Sequence, residues 1–191
     1  MITVTGDYSM RRSPADQESE LRLVEPSLRD QEAYSEMIRE WEAAGEKMEP
    51  FVLRMDHSNF AEYLKILHDM KVQPTGAKKT VNSSTYWLVN GSGEVLGAVN
   101  IRHRLNEHLL KIGGHIGIGI RPSARRLGYG TRMLEMAMGK AKELGIERLL
   151  LTCDEHNDAA RKLIEKCGGM LENKTFFSGK MICRYWIDVV R

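Results

Sequence analysis

Residues 116–131, IGIGIRPSARRLGYGT, constrain the fold of this chain more than any other stretch. An apolar run ends at Pro122, a short basic loop follows, and Gly128 and Gly130 lead straight into a helical pattern. Such a junction belongs to α/β architecture, where a strand hands over to a helix at the end of a sheet. It also carries chemistry. The first turn of a helix leaves backbone N–H groups without partners and bears partial positive charge, which suits phosphate. Glycines admit close approach to those amides, and Arg121, Arg125 and Arg126 add charge for a polyanion. Two phosphate motifs of other folds fail here. A dinucleotide fingerprint begun at Gly117 and Gly119 meets Pro122 where its third glycine belongs. A P-loop read at Gly139-Lys140 has Leu134 for its first glycine and Ala141 for its hydroxyl residue.

The flanking sequence sets this junction within one domain, as 191 residues imply at about 150 per domain. Residues 1–20 are polar and aperiodic and read as a flexible tail, with the folded domain expected over 21–191. An alternating strand at 21–25 is stopped by Pro26. Ser27 then caps a helix that shows Tyr34, Met37, Ile38 and Trp41 on one face and stops at Gly45. A second helix covers about 58–70, and 72–83 read as a loop. Strands at 85–89 and 95–101 flank Asn90-Gly91-Ser92-Gly93, a hairpin signal. A polar connector, 102–111, leads to a third sheet segment at 114–121. The pattern then alternates: helix 128–144, strand 148–153, helix 158–167, and two closing strands at 170–177 and 181–190.

Composition excludes several functions. Lys plus Arg is 28 and Asp plus Glu 26, and a net charge of +2 argues against a nucleic-acid binder. No run reaches the ~18 apolar residues of a membrane span, and the polar start lacks the core of a signal peptide. Cys153, Cys167 and Cys183 form no CxxC pair, so no metal site is written and a reducing, cytoplasmic setting is expected.

The basic loop resembles the acyl-CoA loop of the GCN5-related N-acetyltransferase (GNAT) superfamily, and the connector Arg102-His103-Arg104-Leu105-Asn106-Glu107-His108 resembles a segment of an uncharacterised subset of predicted acetyltransferases. The family pattern [QR]-x-x-G-x-[GA] is matched by Arg125-Arg126-Leu127-Gly128-Tyr129-Gly130, after the strand exit Ile120-Arg121-Pro122. A second signature, N-x-x-[AS] with a later G-[FG], is matched by Asn157-Asp158-Ala159-Ala160 and Gly168-Gly169. The resemblance implies an α/β (α+β) fold, a mixed, mostly antiparallel central sheet of about seven strands flanked by about four helices. It implies acetyl-CoA as co-substrate and no metal. The cofactor arm would pair with the backbone of Ile118 and Ile120, where the fourth strand splays from the fifth. The pyrophosphate would meet Arg125, Arg126, Leu127, Gly128, Tyr129, Gly130 and Thr131. Asn157 matches a position that reaches the cofactor arm, and it is equally a favoured helix N-cap.

The implied chemistry is direct attack of an amine on the thioester, which requires the amine to lose a proton. Counting back five residues from Ile120, to the position where relatives carry a glutamate, gives His115, whose ordinary pKa of ~6.5 suits a base. The same residue also reads as a strand histidine satisfied by a neighbour. Glu107 is the reserve base. Relatives place an acidic tyrosine seven residues after the signature asparagine, but Ile164 stands there. Tyr185, in the last strand, faces either the slot or the core. His103 and His108 lack metal-ligand spacing and read as a solvated connector. The missing tyrosine leaves a second reading, a CoA-binding or sensing module without turnover, and a third is a nucleotide-phosphate binder at the same helix start. The acceptor is a small-molecule or protein amine, and homodimers are common among relatives.

Overall fold

The computed structural model describes residues 20–72 and 81–189; the expected tail, Glu20 apart, and most of the loop expected at 72–83 lie outside them. In one sheet, β1 (Arg22–Val24), β2 (Ser83–Val89), β3 (Val95–Arg102) and β4 (Ile116–Ile120) lie in that order, each pair antiparallel. In a second, β5 (Arg148–Asp154) and β6 (Met170–Phe177) flank β7 (Lys180–Asp188), again antiparallel. The helices are α1 (Gln31–Ala43), α2 (Phe60–Val72), α3 (Glu107–Lys111), α4 (Tyr129–Glu143) and α5 (Asp158–Lys166). Seven strands and the α/β character are as expected. The short α3 is an addition. It forms inside the polar connector because the Asn106 side chain accepts from Leu109 N–H and caps it.

Side-chain alternation gives the first sheet two buried faces. Tyr86, Leu88, Val99 and Ile101 pack with Met133, Leu134 and Ala137 of α4 and with Leu149, Leu151 and Tyr185 of the second sheet. Trp87, Val89 and Ala98, on the opposite face, pack with Tyr34, Met37 and Trp41 of α1 and with Phe60 and Tyr63 of α2. Each large side chain buried in this way stabilises the fold by about 1.5–3 kcal/mol. The Tyr34 ring stacks on Trp87 with centroids 4.8 Å apart, which fixes α1 over the middle of the sheet. The start of α1 differs from expectation. Ser27 Oγ donates to Asp30 Oδ2 at 2.6 Å and leaves the backbone uncapped, so a 3-10 turn precedes the α-helix.

Candidate active site

β4 and β5 lie side by side and are joined at one end. His115 N–H donates to Leu150 O at 2.7 Å, and Leu150 N–H donates to His115 Nδ1 at 2.9 Å. Beyond that pair the strands part, since they belong to separately bonded sheets. The ladders define what faces the gap. Arg102 N–H bonds His115 O and Arg121 N–H bonds Leu96 O, so the odd-numbered residues of β4 pair with β3. Ile116, Ile118 and Ile120 therefore turn their peptide groups to the gap. On β5, the bonds Val189 N–H to Glu147 O and Glu155 N–H to Met181 O place odd-numbered residues on β7, leaving Thr152 and Asp154 toward the gap. The result is a slot edged by peptide groups and closed at His115–Leu150.

At the other end, β4 passes through the turn Pro122–Ala124 into α4. Gly128 caps α4 at φ +85°, a left-handed conformation that glycine adopts freely, and open space lies where a Cβ would be. Arg132 is the first residue whose N–H finds a helical acceptor, on Gly128 O at 3.2 Å. Among the described residues none accepts from the N–H groups of residues 126–131. Arg126 is exposed and pairs with no described residue, and Leu127 is also exposed. The other two arginines differ from expectation. Glu40 of α1 takes Arg121 through Nε and Nη2, both at 2.5 Å, and takes Ser123 Oγ at 2.9 Å. Arg125 donates to Ile120 O at 3.0 Å, pairs with Glu46 at 2.6 Å and lies over the Trp41 ring. Both are drawn to the α1 side by carboxylates. The positive potential at the slot mouth comes from the helix start and Arg126.

The proton-handling candidates are not brought together. His115 is buried, and burial, followed by the nearby Arg102 charge, holds its pKa down to about 4. With Nδ1 accepting from Leu150, the ring is neutral and its proton sits on Nε2. Its edge meets Trp186, which pairs with Leu150, whereas Tyr185 pairs with Leu151 on the opposite face. Tyr185 is buried there, its hydroxyl donates to Glu165 Oε1 at 3.0 Å, and burial raises its pKa. Glu107 is exposed on α3 and lines a groove of about 410 Å3 with Lys111, Asn173 and Arg184, apart from the slot. Ile164 is buried in the core.

Asn157 Oδ1 accepts from Ala160 N–H at 3.0 Å and so caps α5, and the residue also lines an opening of about 760 Å3 with Asp154, His156 and Lys180. Tyr129 and Thr131 are half-buried at the start of α4, and Gly130 leaves room between Leu163 and Ile120. His103 Nε2 lies 2.8 Å from Ser84 Oγ. Among the described residues no group of histidine, cysteine and carboxylate side chains is placed to hold a metal. All three cysteines are free thiols, and burial pushes Cys153 up to about 11.

One element of the site was overlooked in the sequence. Residues 49–51 cross β4 on the side away from α4. A Cβ at Gly119 would lie 2.0 Å from Glu49 O, and one at Gly117 would lie 3.0 Å from Pro50 Cβ. The alternate glycines of IGIGI thus make a flat track for this loop, and glycines within a strand are a signal of such close approach. Phe51 then lies under the Arg102 guanidinium, 5.7 Å from ring centroid to Cζ.

Residues 35–169, from α1 through α5, match the acetyltransferase (GNAT) family. This chain belongs to that family. The match takes in both edges of the slot and the start of α4. Solved structures share the fold over most of their length. A Bordetella pertussis protein assigned to the GNAT-family acetyltransferases superposes with a TM-score of 0.61 at 16% identity, covering 87% of this chain and 94% of that one. The spermidine/spermine N-acetyltransferase SpeG of Vibrio cholerae gives 0.61 at 14%, covering 90% and 95%. A Vibrio cholerae protein assigned as a ribosomal-protein-serine acetyltransferase gives 0.61 at 16%, covering 88% and 94%. Named acceptors as unlike as a polyamine and a protein serine show that this GNAT fold does not fix the substrate. No curated protein matches the chain in sequence.

Proposed function

We propose that this GNAT protein transfers an acetyl group from acetyl-CoA to an amine, with residues 21–191 as the catalytic unit in a reducing cytoplasm. The observation that carries this reading is the slot, where among the described residues the peptide groups of Ile118 and Thr152 find no backbone partner, leading to the N–H groups of residues 126–131, likewise without one. Buried peptide groups need partners, and an extended amide-bearing arm supplies them on both edges. The open space at Gly128 suits a pyrophosphate seated on the helix start. When bound, acetyl-CoA supplies the acetyl group on a thioester carbon open to attack.

The chain's own groups bind and orient. Residues 126–131 hold phosphate oxygens by backbone N–H, and the Arg126 guanidinium adds charge. Ile118 orients the arm by its peptide groups, and Ile120 by its N–H, since Arg125 already occupies its carbonyl. His115 acts as a pin. With Nδ1 on Leu150 N–H and its proton on Nε2, it fixes where the slot closes; the amine nitrogen bonds the acetyl carbon, the C–S bond breaks, and CoA leaves as its thiol, the amine's proton passing to it through solvent. Calorimetry tests the cradle. The wild-type chain is expected to bind CoA, and Gly128→Val, which adds a side chain at a left-handed position, to weaken binding at least 100-fold, in line with a lost anion cradle plus backbone strain. Unchanged affinity would remove the basis of the reading.

A second reading, CoA binding without turnover, draws on Ile164 at the tyrosine position and on Tyr185 being held by Glu165. Thiol release from acetyl-CoA across a panel of amines separates the two. Tight CoA binding with no release on any amine favours the second.

A further inference from the structure

Beside the closed end of the slot lies a cation that forms no ion pair with any described residue. Arg102 ends β3 beside the closed end of the slot, where its backbone N–H bonds His115 O at 2.8 Å. Its guanidinium is half-buried between Phe51 and the turn that feeds β4. Nη1 donates to Gly113 O at 3.0 Å and to Gly114 O at 3.1 Å. Among the described residues nothing accepts from its Nε or Nη2, and it forms no ion pair. Burial disfavours its charge, and Glu49 offsets this only in part. The Glu49 carboxylate is itself engaged, by Lys47 at 3.0 Å and by Arg54 at 3.1 Å. Apart from Glu49, the described neighbours on this sheet face are uncharged. His115 is neutral, and Asn100, the next residue of β3 on this face, is an uncharged amide whose Oδ1 is buried without a partner.

A guanidinium left in this state presents a planar fork of donors, the shape that takes a carboxylate with two hydrogen bonds. A buried cation without an anion is costly, and a ligand carboxylate would remove that cost on binding. We propose that Arg102 receives a carboxylate of the acceptor, so that the substrate class is an amine that also bears a carboxylate, such as an amino acid, and not a polycation. The proposal rests on the transferase reading above and names the acceptor for that same slot. It also makes Arg102 a specificity residue: Phe51 supports the flat face of its guanidinium while the Gly113 and Gly114 carbonyls fix its orientation.

The test compares free amino acids with their carboxamides and with diamines, using acetyl-CoA and the full chain. Wild type is expected to favour the acids over the matching amides by roughly 10- to 100-fold in kcat/KM, the range for a hydrogen-bonded charged pair. Arg102→Gln should bring that ratio near one with CoA affinity unchanged by calorimetry. Arg102→Lys, which keeps the charge and loses the fork, should fall between. The wild-type comparison needs no variant, so a variant that does not fold leaves the proposal exposed to disproof. Wild-type preference for amides or diamines overturns it, as does an equal loss on acids and amides in Arg102→Gln. CoA binding without turnover of any amine overturns the transferase reading itself, a result distinct from turnover confined to uncharged or cationic amines.

Discussion

His115 is neutral because of its partners, and that has a consequence for acid stability. Its unfolded pKa is ~6.5, and in the fold burial and Arg102 hold it near about 4. Between those values the unfolded chain binds the extra proton and the native chain does not. This contribution to stability is therefore complete above pH 6.5 and is lost as pH falls toward 4, by on the order of 3 kcal/mol. His115→Asn keeps an oxygen acceptor for Leu150 N–H and removes the titration. Thermal unfolding followed by circular dichroism should show a flatter decline from pH 6.5 to 4.5 in the variant; parallel declines would contradict the assignment. The position of His115 was legible in the sequence, by counting from the strand exit. Its role was not, because the atom that commits Nδ1 belongs to Leu150, in another strand.

Strand β4 is shaped by what crosses it. Gly117 and Gly119 face the 49–51 loop, and the nearest atom to a Cβ at Gly119 is the backbone oxygen of Glu49. A backbone atom has no rotamer through which to retreat. Gly119→Ala is expected to cost about 1–3 kcal/mol, the usual range for overpacking, read as a lower midpoint in urea at unchanged slope. A neutral effect would mean that the loop is not seated on the strand. Most elements were readable from periodicity and stop signals, with ends within a few residues: α4 begins one residue after Gly128, and α1 ends before Gly45. The exceptions are instructive. The α3 helix is five residues long, too short for a periodic face, and its only local mark is the Asn106 cap. The arginines of the basic loop looked alike in sequence, yet Glu40 and Glu46 on the α1 side claim two of them.

Across the whole molecule, the slot separates two sheets whose strands hydrogen-bond each other only at its closed end. A ligand bonded to both edges would couple them. Hydrogen exchange with saturating CoA should slow at residues on both edges, including Ile118, Ile120, Thr152 and Asp154, as well as at the start of α4. Protection confined to α4 would place the ligand on the helix start alone and outside the slot. The sequence by itself determined the α/β class, the strand-to-helix junction and the helix start at Gly128, because these depend on residues near one another in the chain. Tertiary structure decided which arginines stay available, that Tyr185 faces α5 and not the slot, that residues 49–51 cross β4, and that Arg102 forms no ion pair with any described residue. Each of these depends on contacts between strands, helices and loops far apart in sequence, and periodicity carries no record of which distant partner a side chain meets.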